Sequence, residues 1–445
     1  MSAPSISAAG ERRALSTPRA ISAAGEILAR WLSETERGGL DRLVQAETRR
    51  RRELNSSERR WLVEALFGTV RYLRRQEWIL QRRGVEPGAA ELIALWAELG
   101  GPAAGAGLPG PESPGDYLRL TLAFSDAMAA ELEALLGAEA VVAAEHLNGP
   151  APPILRVNTL RASRGRVLRA LEGARRTRFC PWGVELSGRA DVHQMPGFRD
   201  GWYEVQEEAS QIVALLTDAR PGQTIVDVGA GAGGKSLAIA AMMGGEGALL
   251  AVDSSRERLN RLEERAARGH VRNIRPVFIE ADSAGRWQPS ATKRRTLGRL
   301  EGTVDCVLVD APCSGSGIVR RAPDLKWRGG DPVEHARLQS LLLEQAAALP
   351  APGGALIYAT CAIEREQNEA VVERFLASAE GAVFTLERAL PRLRRAMERA
   401  ALPREPGAIP PSHNELESLE AGPYLRTWPH RHGMDAFFAA SLVRT

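Results

Sequence analysis

Residues 224–236, Thr-Ile-Val-Asp-Val-Gly-Ala-Gly-Ala-Gly-Gly-Lys-Ser, constrain the fold more than any other stretch. Thr224 to Val228 is an apolar, β-branched run of the kind that forms a buried strand. Glycines follow at 229, 231, 233 and 234, and Ser236 to Met243 reads as a helix. A strand, a glycine turn and a helix N-terminus together make an anion or nucleotide site. The glycines let the backbone approach a ligand, and the helix end offers unpaired N–H groups. From here strands are expected at 224–228, 248–252, 275–279, 304–309 and 354–359, and helices at 236–243, 255–268, 334–348 and 365–377. That alternation predicts an α/β, Rossmann-like domain with a doubly wound, mainly parallel sheet, closed by Met434 to Val443 as an antiparallel strand.

Two templates fit the glycine stretch. Gly229-x4-Gly234-Lys235-Ser236 satisfies the phosphate-loop pattern of NTPases. Asp227-x-Gly229-x-Gly231-x-Gly233 satisfies the acidic-strand-then-glycine pattern of S-adenosylmethionine methyltransferases. Asp253 ends the second strand, 20 residues after Gly233. An acid there can accept both ribose hydroxyls of a nucleoside cofactor, although with Ser254 and Ser255 following it also reads as a helix cap. Asp282, after the third strand, is placed to receive an adenine amino group.

The most specific stretch is Asp305-Cys-Val-Leu-Val-Asp310-Ala-Pro-Cys313-Ser-Gly-Ser-Gly317. An NTPase would use Asp310 to hold magnesium, but that leaves Pro312-Cys313 unexplained, as well as the second strand-end thiol in Tyr358-Ala-Thr-Cys361. Ligands of open α/β sheets bind at the carboxyl ends of strands, where both thiols fall. Cys306, inside its strand, and Cys180 read as structural. A cofactor site, a strand-end acid and two thiols suit methylation of carbon 5 of cytosine. A thiolate adds to carbon 6 and turns the ring into an enamine, and an acid at N3 stabilises the adduct. The thiol must be ionised to attack, so its pKa of ~8.5 has to be lowered or a base has to assist.

With these residues in place, 204–442 resembles the Sun/RsmB (Fmu-type) family of RNA cytosine-5 methyltransferases. The similarity runs through Val205-Gln-Glu-Glu-Ala-Ser-Gln211, Val226 to Lys235, Asp310-Ala-Pro-Cys-Ser-Gly315, Arg320-Arg-Ala-Pro-Asp-Leu-Lys-Trp327, Gly353 to Cys361, Gln367-Asn-Glu369 and Pro429 to Phe438. The resemblance implies Cys361 as nucleophile and Cys313 as the residue of product release, with Asp310 holding the cytosine and Lys235 at the junction of base and cofactor. It implies S-adenosylmethionine as cofactor, lined by Asp227, Gly229, Gly231, Gly233, Gly234, Lys235, Asp253, Arg258, Asp282 and Asp310. DNA cytosine methyltransferases use the Pro-Cys thiol instead, so spacing alone leaves the order of the two roles open. The family's loop reads Cys-Ala-Ala-Pro-Gly-Gly-Lys, whereas this chain has Gly229-Ala-Gly-Ala-Gly-Gly-Lys235. The missing proline predicts a more flexible loop. Ala362 stands where serine is usual.

The remainder divides into a tail (1–19), an all-helical domain (20–147) similar to the family's NusB-type RNA-binding domain, and a small α+β module (148–220) ahead of the methyltransferase domain (221–445). Asn55 to Glu58 reads as a helix cap, and 117–136 as one helix. Net charge is only +3, yet residues 37–83 carry 13 arginines against 6 acids and residues 156–178 carry 8 against 1. Residues 286–299 add five basic residues and no acid. Such surpluses fit a polyanion such as RNA, and the resemblance of the N-terminus to a NusB-type domain implies ribosomal rather than transfer RNA as the partner. Arg71, Arg74, Arg75, Arg82 and Arg83 are expected on the outer surface. Arginine is also simply abundant, with 55 against 3 lysines. Lys235 and Lys326 stand out because a site needing a compact ammonium resists arginine. The four cysteines lack a Cys-x-x-Cys pair, and no apolar leader or span is visible. Reduced thiols, no metal, no membrane, a cytoplasmic location and a monomer are the expectations. A phosphate-loop NTPase acting on RNA and a non-catalytic ribosome assembly factor stay open as rival readings.

Overall fold

The computed structural model describes residues 16–33, 39–102, 107–188, 191–282, 285–288, 296–400 and 411–445. The expected tail as far as residue 15, and residues 289–295 of the third basic run, lie outside them. The chain forms two compact units, one of Met1–Pro150 with Ile318–Gly329, the other of Ala151–Gly317 with Gly330–Thr445.

The first unit is helical, with Pro18–Ser33, Leu40–Arg50, Ser56–Arg71, Leu73–Arg82, Ala89–Leu99, Asp126–Leu136 and Ala140–Asn148 as its longer helices. The apolar faces meet in a core that includes Ile27, Leu28, Trp31, Leu62, Leu66 and Trp96. Asn55 makes the expected cap. Its side chain accepts from the Ser57 and Glu58 N–H groups at 2.9 Å, and Glu58 accepts from Asn55 N at 2.8 Å. The single helix expected over 117–136 is broken instead. Ala123 has φ +53°, and Ser125 caps a new helix by accepting from Met128 N at 3.3 Å.

Residues 318–329 lie far along the chain yet belong to this unit. Lys326, one of the two lysines singled out from composition, is spent here on structure. Its Nζ donates to the carbonyls of Arg71 and Leu122 at 3.0 Å and to Asn148 Oδ1 at 2.5 Å. Trp327 Nε1 donates to Val70 O at 2.7 Å, and Asp324 accepts from Leu40 N at 3.1 Å. The arginine surplus is also partly consumed. Arg75 is buried, and Arg71 donates to Asn148 O and Arg320 O at 2.9 Å. Arg74 and Arg83 pair with Asp126 and Glu98.

In the second unit β1 (Ile154–Val157), β2 (Arg175–Arg176), β3 (Gly183–Glu185) and β4 (Tyr203–Val205) form an antiparallel sheet in the order β2-β3-β1-β4. The larger sheet contains β5 (Thr224–Val228), β6 (Ala248–Asp253), β7 (Ile274–Phe278), β8 (Val304–Asp310), β9 (Pro350–Thr360), β10 (Phe384–Glu387), β11 (Glu420–Ala421), β12 (Tyr424–Arg426) and β13 (Phe438–Arg444). Its parallel centre is ordered β9-β8-β5-β6-β7. The chain winds outward from β5 through β6 to β7, then returns to β8 and β9 on the other side. The order therefore reverses between β5 and β8, the place where an open α/β sheet leaves a crevice at its carboxyl ends. β13 runs antiparallel to β9, as the C-terminal pattern predicts. Val226, Val228, Val252, Val307, Leu356 and Phe438 lie in the core of this sheet.

Candidate active site

The turn after β5 is shaped by its glycines. Gly229 has φ +81°, and a Cβ there would stand 2.3 Å from Asp310 O at the end of β8, so a side chain would force the two strand ends apart. Gly233, at φ +83°, packs so closely on Leu262 that an added Cβ would lie 2.6 Å from its Cγ. Backbone donors tie the turn to β6. Gly229 N and Ala230 N donate to Val252 O at 2.9 and 3.1 Å, and Gly231 N donates to Asp253 Oδ2 at 2.8 Å. Helix Gly234–Met242 starts from this turn.

Asp227 lies beneath the turn, fully buried. Ser236 Oγ donates to its Oδ2 at 2.5 Å, while its Oδ1 has no hydrogen-bond partner among the described residues. Burial pushes its pKa up to about 7, against the help of Ser236. An orphaned buried acceptor beside a glycine turn and a helix start fits a ligand that brings its own donor. The residues present thus suit a cationic nucleoside such as S-adenosylmethionine.

Lys235 Nζ donates to Asp310 Oδ2 at 2.8 Å and lies 5.3 Å from the centre of the Phe437 ring. Burial disfavours the ammonium, but Asp310, Cys361 and Asp227 outweigh it, and the pKa rises above the usual lysine value. This geometry counts against a phosphate loop. There the lysine and the following hydroxyl face phosphate and magnesium, whereas here Asp310 and Asp227 take both.

The two strand-end thiols come together. Cys313 Sγ and Cys361 Sγ are 3.3 Å apart, and both side chains are partly exposed. The first proton leaves this pair readily, because the remaining S–H donates to the new thiolate, and the second leaves with difficulty. The bond from Cys361 outweighs burial and draws Cys313 below the usual thiol value, aided by the N–H groups of Cys361 and Gly315. Cys361 is held well above that value by its bond to Cys313, then by burial and by the charges of Cys313 and Asp310, while Lys235 acts in the opposite sense.

A buried polar network holds the loops that carry them. Glu364 Oε2 accepts from Ser314 Oγ at 2.9 Å, Ser316 Oγ at 2.7 Å and Gln367 Nε2 at 2.9 Å. Gln367 Oε1 accepts from Ser314 N at 3.0 Å and from Gln339 Nε2 at 3.1 Å. Gly317 N donates to Cys361 O at 2.9 Å, and a Cβ on Gly317 would meet Ala436 O at 2.1 Å.

Residues 214–443 match the family described as 16S rRNA methyltransferase RsmB/F. The chain belongs to this family. A protein of Synechocystis sp. named as a probable ribosomal RNA small subunit methyltransferase B is 33% identical over 298 residues, 65% of this chain and 59% of that one. The ribosomal RNA small subunit methyltransferase B of Pseudomonas putida is 34% identical over 250 residues, 55% of this chain and 54% of its own. The chain thus spans a little over half the length of these curated relatives. The crystal structure of a methyltransferase homolog protein from Pyrococcus horikoshii superposes with a TM-score of 0.57 at 25% identity, over 76% of this chain and 100% of that one.

In this RsmB/F chain, Asp227, Gly229, Gly231, Gly233, Gly234, Lys235, Asp253, Asp310, Cys313 and Cys361 gather at the carboxyl ends of β5, β6, β8 and β9 or the turns leaving them. Asp253 Oδ1 accepts from Ser255 N at 2.7 Å, the cap-like reading, and Oδ2 accepts from Gly231 N at 2.8 Å. Asp282 is exposed on the loop after β7, accepting from Arg286 N at 2.9 Å. Arg258 is an exposed residue of the first turn of helix Arg256–Gly269, and its backbone N–H donates to the Ser255 cap at 3.3 Å. Cys180 and Cys306 are buried, and burial raises both thiols. Sequence reasoning missed Glu364, Ser314 and Ser316 as supports. Gln367 lay within a quoted motif, but nothing in the sequence announced its partners. Among the described residues no cluster of three or more His, Cys, Asp or Glu is arranged for a metal, and no helix is long and apolar enough to cross a membrane.

Proposed function

We propose that the chain transfers a methyl group from S-adenosylmethionine to carbon 5 of a cytosine in ribosomal RNA. The observation that carries this reading is the thiol pair at 3.3 Å beside the Lys235–Asp310 ion pair, all at the switch point of a methyltransferase sheet. Family membership and the names of the relatives supply the RNA. Asp227, Asp253 and the glycine turn would hold the cofactor, which when bound supplies the methyl group.

Cys361 passes its proton across the 3.3 Å contact to the Cys313 thiolate, attacks carbon 6 of the flipped-out cytosine and forms the C–S bond, which sends an electron pair to carbon 5. Lys235 favours the thiolate form of Cys361. N3 takes up a proton from solvent as the adduct forms, and the Asp310 carboxylate, held by Lys235 Nζ at 2.8 Å, accepts a hydrogen bond from that N–H and spreads the charge. After transfer the more acidic Cys313, its proton released to solvent, takes the carbon 5 proton as thiolate; the electrons of that C–H bond expel Cys361 as thiolate, and N3 gives up its proton to restore the ring. The arginine-rich helical unit we read as a NusB-type RNA-docking domain; Arg49, Arg50, Arg52 and Arg60 are exposed there.

Purified protein incubated with unmethylated 16S rRNA and methyl-labelled cofactor tests this, with the product identified by nucleoside analysis. The expected result is 5-methylcytidine, lost by at least about a thousandfold in Cys361→Ala. Label on another base, or none, contradicts the proposal.

A further inference from the structure

A side chain also grips the glycine turn. Arg265, on helix Arg256–Gly269, donates from Nη1 to Ala232 O at 2.6 Å. Its guanidinium is anchored in turn, since Nε donates at 3.0 Å to Glu204 Oε2, on β4 of the small module. Glu204 is buried, and its other oxygen binds Arg268. Arg268 is itself held, donating to Phe198 O at 3.0 Å and stacking on the Phe198 ring at 3.9 Å. The carboxylate thus aims two guanidinium groups of one helix, and only Arg265 reaches the turn.

Ala232 is the residue where the resembling loop carries proline. Its N–H makes no hydrogen bond among the described residues, so nothing in this loop needs it. Ala232 is flanked by Gly231 and Gly233, both at positive φ (+55° and +83°), in a segment with much conformational freedom to lose. A charge-assisted bond to a carbonyl between them removes that freedom from outside.

We propose that Arg265, anchored by Glu204, is the positioning residue of the cofactor turn: it fixes the Ala232 carbonyl and so supplies by side chain the restraint that a proline ring supplies covalently. The proposal deepens the methyltransferase reading and rests on it for the identity of the ligand. It also gives the small module a part in cofactor binding, through Glu204.

The test compares wild type, Arg265→Gln, Glu204→Gln, Ala232→Pro and the Arg265→Gln/Ala232→Pro double variant. Amide hydrogen exchange of residues 229–235 is measured without cofactor, S-adenosylmethionine affinity by calorimetry, and KM and kcat with RNA. In Arg265→Gln, exchange in the turn and the Kd for S-adenosylmethionine should each rise about tenfold, with kcat at saturating cofactor nearly unchanged. Glu204→Gln should follow in the same direction. The double variant should recover to within about threefold of wild type. Unchanged exchange in the turn of Arg265→Gln overturns the proposal, and so does exchange that rises equally across the whole sheet, which would make Arg265 a general support. If wild type binds no S-adenosylmethionine, the function reading falls, while the exchange comparison still decides whether Arg265 holds the turn.

Discussion

The glycine turn after β5 and the two thiol loops after β8 and β9 sit at neighbouring strand ends, yet they are held by different means. In the turn the contacts are mostly backbone: positive φ at Gly229, Gly231 and Gly233, and N–H groups donating to Val252 O and Asp253. The thiol loops carry fewer glycines, with Gly315 at φ +70° and Gly317 after Cys313. Beside backbone bonds such as Gly317 N to Cys361 O, they are held by a side-chain network, with Ser314, Ser316, Gln339 and Gln367 converging directly or through one another on Glu364. A turn shaped by backbone, with no side chains at its glycines, lets a ligand approach closely and fits a bound cofactor. A loop shaped by buried side chains fixes the position of one reacting atom. The site asks each region for the task its construction suits.

Gln367→Ala gives the largest expected separation between the two regions. The side chain is fully buried and makes four hydrogen bonds, and its loss leaves Ser314 N without a partner next to Cys313. Stability should fall by about 3 kcal/mol, and kcat by about a hundredfold as the thiols lose their mutual geometry. The Kd for S-adenosylmethionine should stay within about twofold. Calorimetric binding alongside single-turnover kinetics checks this, and a parallel loss of affinity would break the comparison.

A pH-dependent effect belongs to the turn. Asp227 has its pKa raised to about 7 in the fold, against an ordinary value of 3.8. Between these two values the folded chain holds a proton that the unfolded chain has lost, so stability falls as pH rises from about 4 to about 7 and levels off beyond. The loss from this one group is at most about 4 kcal/mol. Asp227→Asn removes the titration, so the stability difference between variant and wild type should grow in the variant's favour over that pH range. Denaturant unfolding at several pH values measures it; a pH-independent difference would show that burial does not hold Asp227 protonated.

The same contrast explains what could be read from the sequence. Positive-φ positions leave a mark, because glycine recurs where other residues are strained, and β-branched runs with strand-end acids and thiols fixed β5, β6, β8 and β9 to within a few residues. Glu364 left no mark, since a glutamate three residues after a strand-end cysteine reads as an ordinary loop acid until its buried donors are seen. Lys326 was noticed for its rarity, but its four acceptors are main-chain carbonyls and one asparagine, none of which has a sequence signature. The arginine surplus misled in one respect: Arg71 and Arg75, expected outside, are half-buried and buried. The break in the helix expected over 117–136 rests on Ala123 at positive φ, a conformation that alanine does not advertise.

In the proposed reaction Cys361 attacks and Cys313 releases. Cys313 raises the pKa of Cys361 through its hydrogen bond and its charge. Removing it therefore eases ionisation of Cys361 beside Lys235 while taking away the base that would free the product. Cys313→Ala and Cys361→Ala, each incubated with 16S rRNA and S-adenosylmethionine and resolved under denaturing conditions, test this directly. Accumulation of a denaturation-resistant protein–RNA adduct in Cys313→Ala alone is the predicted result. Adduct in Cys361→Ala instead would exchange the two roles and contradict the account.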